Sequence, residues 1–410
     1  MKTLYRNARV IDGSGSTLED HGILVNNERV ECLAPMATFE GFTGETVELM
    51  GKTLLPGLID CHVHLLSGGE ANPKAVVDKM SPGEIAIRGL LHARNSVLGG
   101  ITALRDCGGR DFLEFSVRDA CNRGDFSGPT IRAAGQMICM TGGHGNSNGR
   151  VADGVDEVVK AVREQIHAGC DLVKIMATGG VMTPGVNPED AHYSAEEMAA
   201  GISEGHRFHK KSASHAQGSQ GILNAVHGGI DSIEHGIFMT EECVEEMLKR
   251  GTYLVPTLSA VVNILKGADQ GIPSYVVEKS LRVAEFHRKS IMMFYKAGGK
   301  IAMGTDAGTP FNIHGKNAEE LANMVELGIS PMDSIVFSTA HGADLIGLEE
   351  EGRVRDGAMA DLLVVDGNPL EDIRMIADSA NHYLVLKRGK PITGSWKLGS
   401  SPALALAAAQ

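Results

Sequence analysis

The sequence predicts an α/β protein: a (β/α)8 TIM barrel carrying a small composite β-sandwich built from both chain ends. Three observations predict it. From residue 56 to residue 347 short apolar runs alternate with amphipathic stretches, the rhythm of buried parallel strands and the helices that cover them. Residues 1–55 and 348–400 instead alternate polar and apolar side chains between turn residues, as half-buried strands do. Histidines, a lysine and an aspartate also recur at the expected C-terminal ends of the central strands, the rim where parallel barrels keep their chemistry. A doubly wound open sheet competes with the barrel on pattern alone.

The N-terminal strands are "TLYRNARVID", "HGILVNNERVECLAP" and "ETVELMGKTLLPG". The central strands are predicted at 57–65, 100–106, 129–138, 171–177, 212–216, 231–236, 252–257 and 300–307. Helices fit the gaps. Val155, Val158, Val159, Val162 and Ile166 form one apolar stripe over 154–167. Ser194 with Glu197 is a capping-box signature. Thr240 caps "EECVEEMLKRG", which stops at Gly251. After Gly347 the alternation returns in "GRVRDGAMADLLVVDGNP" and "HYLVLKRGKPI". The economical packing folds both ends together beside a 56–347 catalytic barrel, leaving 401–410 as a tail.

Composition narrows the function. The chain has 410 residues, 43% hydrophobic and 22% charged, an ordinary globular balance. A formal net charge of −13 and only 4% aromatics argue against nucleic acid or an anionic membrane as partner. The seven cysteines are scattered and form no C-x-x-C pair, which suits reduced thiols in a cytoplasmic protein. "MKTLYRNARV" lacks the apolar core of a signal peptide, so the expected location is the cytoplasm.

The chemistry begins at "LIDCHVHLL", residues 58–66. In a strand, residues i and i+2 share a face, so His62 and His64 project together and can grip one metal ion. They also read as ordinary polar residues at a strand end. The fourth strand carries Lys174 inside "DLVKIMA", the fifth ends in His215, the sixth in His235 and the eighth in Asp306. Lys174 taken alone also reads as an ion-paired strand lysine. Together these residues are hard to explain as core packing. Imidazole and carboxylate ligands suit zinc ahead of manganese, cobalt or iron. A buried amine beside cations loses its proton more readily than one in water, and a neutral amine can take up carbon dioxide as a carbamate able to bridge two metals.

At this point the residues carry a resemblance. "PGLIDCHVHL", "KIMATGGV", "SHAQG", "IEHG", "GTDAG" and the later run "ADLLVVDGNPLEDI" resemble the amidohydrolase superfamily. Its metal-dependent Xaa-Pro dipeptidase or carboxypeptidase-like branch, related to imidazolonepropionases, is the nearest pattern. The resemblance implies two divalent metal ions, zinc by ligand type. His62, His64 and Asp306 would hold the more buried ion and His215 and His235 the other, with N6-carboxylysine at Lys174 bridging them. It implies a homo-oligomer acting on a small molecule, a dipeptide or N-acyl amino acid, by cleaving an amide next to a free carboxylate. Asp306 would move the proton from the attacking water to the leaving amine. His144, in "MTGGHGNSNG", would steady charge developing on the substrate oxygen. Tyr193 is expected to reach the substrate carboxylate, and His314 to line the mouth. Arg105 and Asp106 would fix ligand geometry. His92, His167, His206, His209, His227, His287, His341 and His382 read as structural or surface residues. Rival readings keep the fold and change the bond, to a cyclic amide, urea, carbamate or xenobiotic amide such as a mycotoxin. A non-catalytic assembly protein on the same scaffold is a further alternative. The bridging lysine favours the two-metal amidase.

Overall fold

A computed structural model describes residues 2–394; the expected tail at 401–410 and the last residues of the expected C-terminal unit lie outside them. The two chain ends do combine. Lys52–Pro56 pairs antiparallel with Leu362–Asp366, from Leu362 opposite Pro56 to Asp366 opposite Lys52. This pairing joins the N-terminal strands to Leu362–Asp366, His382–Lys387 and Lys390–Gly394 in one eight-stranded mixed sheet. The sequence suggests a sandwich of two facing layers, whereas the hydrogen-bonded path is continuous.

The reason lies in the alternation. Leu54, Leu362, Val364, Leu384 and Leu386 face a core shared with Tyr5, Val10, Ile23 and Val30. Their neighbours Leu55, Leu363, Val365 and Val385 face the barrel. Both faces of the closing strands are therefore buried, which explains the unbroken apolar run "LLVV". Register shifts between Tyr5 and Ala8 and between Val364 and Val365 bend the sheet around its own core.

The middle of the chain is TIM-barrel-like. Leu58–Val63, Ile101–Asp106 and Thr130–Ala133 form a three-stranded parallel sheet. Leu172–Met176, Lys211–Ala216, Ser232–His235 and Tyr253–Val255 continue in a second parallel sheet, with Ile138–Cys139 and Arg150–Val151 at its edge. The ladder is not a closed ring. The expected eighth strand, 300–307, meets its neighbours through the isolated bridges Leu254 to Ile301 and Val63 to Ala307 and through single backbone hydrogen bonds, from Cys61 N to the Met303 carbonyl and from Asp306 N to the His62 carbonyl. Asp306 departs from strand geometry with φ +60°, which interrupts the strand just before Ala307. The expected third strand, 129–138, is broken at Gly135, φ +80°, a conformation that glycine adopts without a Cβ penalty.

The helices follow their sequence signals. Gly154–Ala168 buries Val158, Ala161 and Val162. Ala195–Arg207 carries the reciprocal Ser194–Glu197 capping box. Glu241–Arg250 is capped by Thr240 and ends at Gly251 in the left-handed region. Among the described residues no helix is long and apolar enough to cross a membrane.

Candidate active site

The strand ends and the loops after them enclose a cavity of about 560 Å³, lined by His62, His64, Lys174, His215, His235 and Asp306, and by His144. All six ligand candidates thus reach one space. His62 Nε2 lies 3.6 Å and His64 Nε2 3.2 Å from the same Asp306 oxygen. Ring centroids of His62 and His235 are 5.2 Å apart, and those of His215 and His235 4.7 Å. Donor atoms of His62, His235 and Asp306 fall within 4.8 Å of one another.

One nitrogen of each ring has a hydrogen-bond partner in the protein. His62 Nδ1 bonds Glu234 Oε2 at 2.7 Å, and His64 Nδ1 donates to the Gly108 carbonyl at 2.9 Å. His215 Nε2 donates to the Gly179 carbonyl at 2.9 Å, and His235 Nδ1 bonds Thr257 Oγ1 at 2.6 Å. With that proton fixed, the remaining nitrogen presents its lone pair, as metal-binding histidines require. Burial first, then neighbouring positive charge, holds His62, His215 and His235 well below the ordinary histidine range. They are neutral and ready to ligate. His64 differs: burial pulls it down, but its bond to Asp306 wins and raises it.

Lys174 supplies the most telling observation. It is 2% exposed, and its Nζ has no hydrogen-bond partner among the described residues. A buried ammonium left alone is costly. An orphaned amine facing four imidazoles and a carboxylate fits a divalent metal centre with a carboxylated lysine, because the carbamate would replace the orphan with metal-ligating oxygens.

Support comes from residues behind the rim. Arg105, 2% exposed, pairs with Glu234 Oε1 at 2.8 Å and donates to the Cys61 carbonyl at 2.5 Å. Asp106 accepts the backbone N–H of Leu65 at 2.7 Å and of Gly108 at 2.9 Å, fixing the loops after the first two strands. Sequence reasoning missed Glu234 and Asp60. Asp60 accepts from Thr305 Oγ1 at 2.6 Å and Asn317 Nδ2 at 2.7 Å, joining the first strand to the 300–307 segment. Their signal was available: an acid inside each of the apolar runs "LID" and "SIEH". His235, Thr257 and Asp306 adopt positive φ of 73°, 53° and 60°. Such backbone costs on the order of 1–3 kcal/mol each and gathers at functional sites.

His144 reaches the cavity. Its Nδ1 bonds Thr183 Oγ1 at 2.7 Å, and its ring centroid is 4.4 Å from that of His215. Burial, then His192, pushes it down to about 3, so it is a neutral imidazole. A Cβ on Gly180 would come within 2.6 Å of His144 Nε2, so only glycine leaves room for the ring.

Two expectations are corrected. Tyr193 does not line the cavity: it is 2% exposed, and its hydroxyl donates to the Ala152 carbonyl at 2.7 Å. It packs the entry of the following helix. His314 does not line the mouth either. It stacks on His92 with centroids 4.6 Å apart, and its Nε2 donates to the Ser67 carbonyl at 3.0 Å, beneath the loop that carries His64. His287, expected to be structural, does line the cavity, with Nε2 donating to the Pro256 carbonyl at 2.7 Å.

Comparison with known proteins adds independent findings. A family model described as "Amidohydrolase family" matches residues 53–392. Ochratoxinase of Aspergillus niger is 32% identical over 427 aligned positions, covering 94% of this chain and 86% of that protein. A crystal structure of a Xaa-Pro dipeptidase with bound methionine in its active site superposes with a TM-score of 0.88 at 33% identity, covering 95% of this chain and 99% of that one. The crystal structure of A. niger ochratoxinase gives 0.86 at 28% identity, covering 98% and 99%.

Proposed function

The chain belongs to the amidohydrolase family, and from that premise we propose that it hydrolyses an amide joining an acyl group to an amino acid with a free carboxylate. The reading covers a dipeptide, an N-acyl amino acid, or a xenobiotic amide of the same construction such as a mycotoxin. One observation carries it: the partnerless amine of buried Lys174 faces His62, His64, His215, His235 and Asp306 in one cavity. The likeness to a Xaa-Pro dipeptidase and to an ochratoxinase supports both substrate classes.

Two divalent cations, zinc by ligand type, would supply Lewis acidity and lower the pKa of water towards neutrality. The four histidines, Asp306 and carboxylated Lys174 would hold them. The chain's own groups do the rest. Asp306 takes the proton from the attacking water and delivers it to the leaving nitrogen. His144, neutral and clamped by Thr183, donates from Nε2 to the oxygen on which negative charge develops. Glu234 and Thr257 keep His62 and His235 in one tautomer and orientation. At the mouth Lys74 and Arg110 share Asp78, with Arg110 Nη1 2.9 Å from its carboxylate, and they offer the cavity's outer cations to a substrate carboxylate.

The test is a hydrolysis screen of dipeptides and N-acyl amino acids with zinc and bicarbonate, run on the wild type and Lys174→Ala. Turnover by the wild type and its loss in the variant are expected. Full activity with two bound metals in Lys174→Ala would remove the bridging role.

A further inference from the structure

Three buried polar side-chain atoms lining the cavity have no hydrogen-bond partner among the described residues: Lys174 Nζ, Asn148 Oδ1 and Gln217 Oε1. Lys174 is accounted for, and Asn148 sits on a partly exposed loop. Gln217 is different. It is 4% exposed, and its Oε1 has no hydrogen-bond partner among the described residues.

Its backbone is already committed. The Gln217 N–H donates to Thr178 Oγ1 at 2.9 Å, and its carbonyl accepts from Phe238 N at 2.8 Å. The backbone that carries the side chain is therefore tied to both neighbouring strand ends. Gln217 follows His215 by two residues, just past the end of Lys211–Ala216, and lines the same cavity as the ligand candidates.

Part of the same cavity wall is aliphatic: Val181, Ile237, Val261 and Ile264 line it and pack into one cluster. The lysine and arginine residues in the lining are Lys74, Arg110 and Lys174. An acceptor among aliphatic side chains calls for a neutral donor, since a carboxylate there would leave Oε1 facing another acceptor.

We propose that Gln217 Oε1 accepts the N–H of a secondary amide in the substrate, and so selects amides that carry this hydrogen over tertiary, prolyl-type amides. The inference rests on the amidase reading above and narrows its substrate class. An apolar substituent next to that N–H lies on the wall of Val181, Ile237, Val261 and Ile264. A site built around a hydrogen bond rejects an analogue lacking the donor, because its own buried group is left unpaired.

The test compares an N-acyl phenylalanine with its N-methyl analogue on the metal-loaded full chain, as wild type, Gln217→Met and Gln217→Glu. Turnover gives kcat/KM, and calorimetry gives Kd for the same two amides. Metal content and Tm are recorded for each variant. The wild type should favour the secondary amide by about tenfold or more. Gln217→Met should bring the two amides together, and Gln217→Glu, which keeps an acceptor, should retain the preference. Equal handling of both amides by the wild type would overturn the proposal, as would an unchanged ratio in Gln217→Met. If neither amide is hydrolysed, the amidase reading fails, and the Kd ratio decides the role of Gln217 by the same criteria.

Discussion

Lys387 lies in the seam between the eight-stranded sheet and the barrel, and Lys174 at the barrel's mouth. Both are buried, at 9% and 2% exposure. Lys387 Nζ donates to Thr130 Oγ1 at 2.7 Å, forms a short contact with Asp361 and lies 3.7 Å from Glu351. Among the described residues Lys174 Nζ has no hydrogen-bond partner. The first is how a chain buries a cation for structure, with a counter-charge and hydrogen bonds in place. The second fits the proposed carboxylation, which would give the amine its missing partners. Burial is common to both lysines, and the unpaired Nζ is what sets Lys174 apart.

The largest expected effect is on Lys174. Replacing it with alanine should lower kcat/KM by more than about a hundredfold, beyond the 10- to 100-fold typical of residues that only orient a ligand. Metal content by mass spectrometry should fall with it, while folding is retained. Lys387→Met should do the reverse. It strands Asp361 in the seam and should cost about 3–5 kcal/mol of stability, read by urea unfolding, with metal content and turnover per folded molecule unchanged. A loss of activity there without a loss of stability would erase the distinction between the two sites.

A smaller effect sharpens the comparison within the mouth. Thr257→Val removes the acceptor for His235 Nδ1 and should weaken metal affinity about tenfold, measured by competition with a chelator. The smallest effect concerns pH at the seam. Burial, with Asp361's charge added, pushes the Glu351 carboxyl up to about 7 against Lys387's opposing pull. A folded pKa above the unfolded one means the native state holds the proton more tightly. The stabilisation is complete below the unfolded value of about 4.5 and is lost as pH rises through about 7. Glu351→Gln should flatten that part of the Tm–pH curve, and an unchanged slope would place the titration elsewhere.

Much of this architecture is legible in the sequence. The i, i+2 spacing of His62 and His64 predicts a shared face, and these two line one cavity with Lys174 from within Leu172–Met176, His215 and His235 from near their strand ends, and Asp306. The capping signals at Ser194 and Thr240 mark real helix starts. The misses have physical causes. Alternation says which residues share a face but not which strands are hydrogen-bonded, so the continuous path that joins Lys52–Pro56 to Leu362–Asp366 is not written in it. Gly135 interrupts an apolar run without changing its hydrophobicity. Tyr193 and His314 stand beside catalytic loops, yet their side chains turn to the carbonyls of Ala152 and Ser67, and sequence carries no record of that direction. Gln217 is a neutral residue two positions after a histidine, and no sequence signal shows that its Oε1 lacks a partner among the described residues.

The most direct test of the central claim is a crystal structure of the full chain grown with zinc and bicarbonate, with anomalous scattering recorded at the zinc edge. The account predicts two zinc peaks within the roughly 2 Å reach of a coordinate bond from His62, His64, His215, His235 and Asp306, with carbamate density continuing from Lys174 Nζ. A bare Lys174 amine, or histidines with no zinc beside them in that crystal, would contradict it.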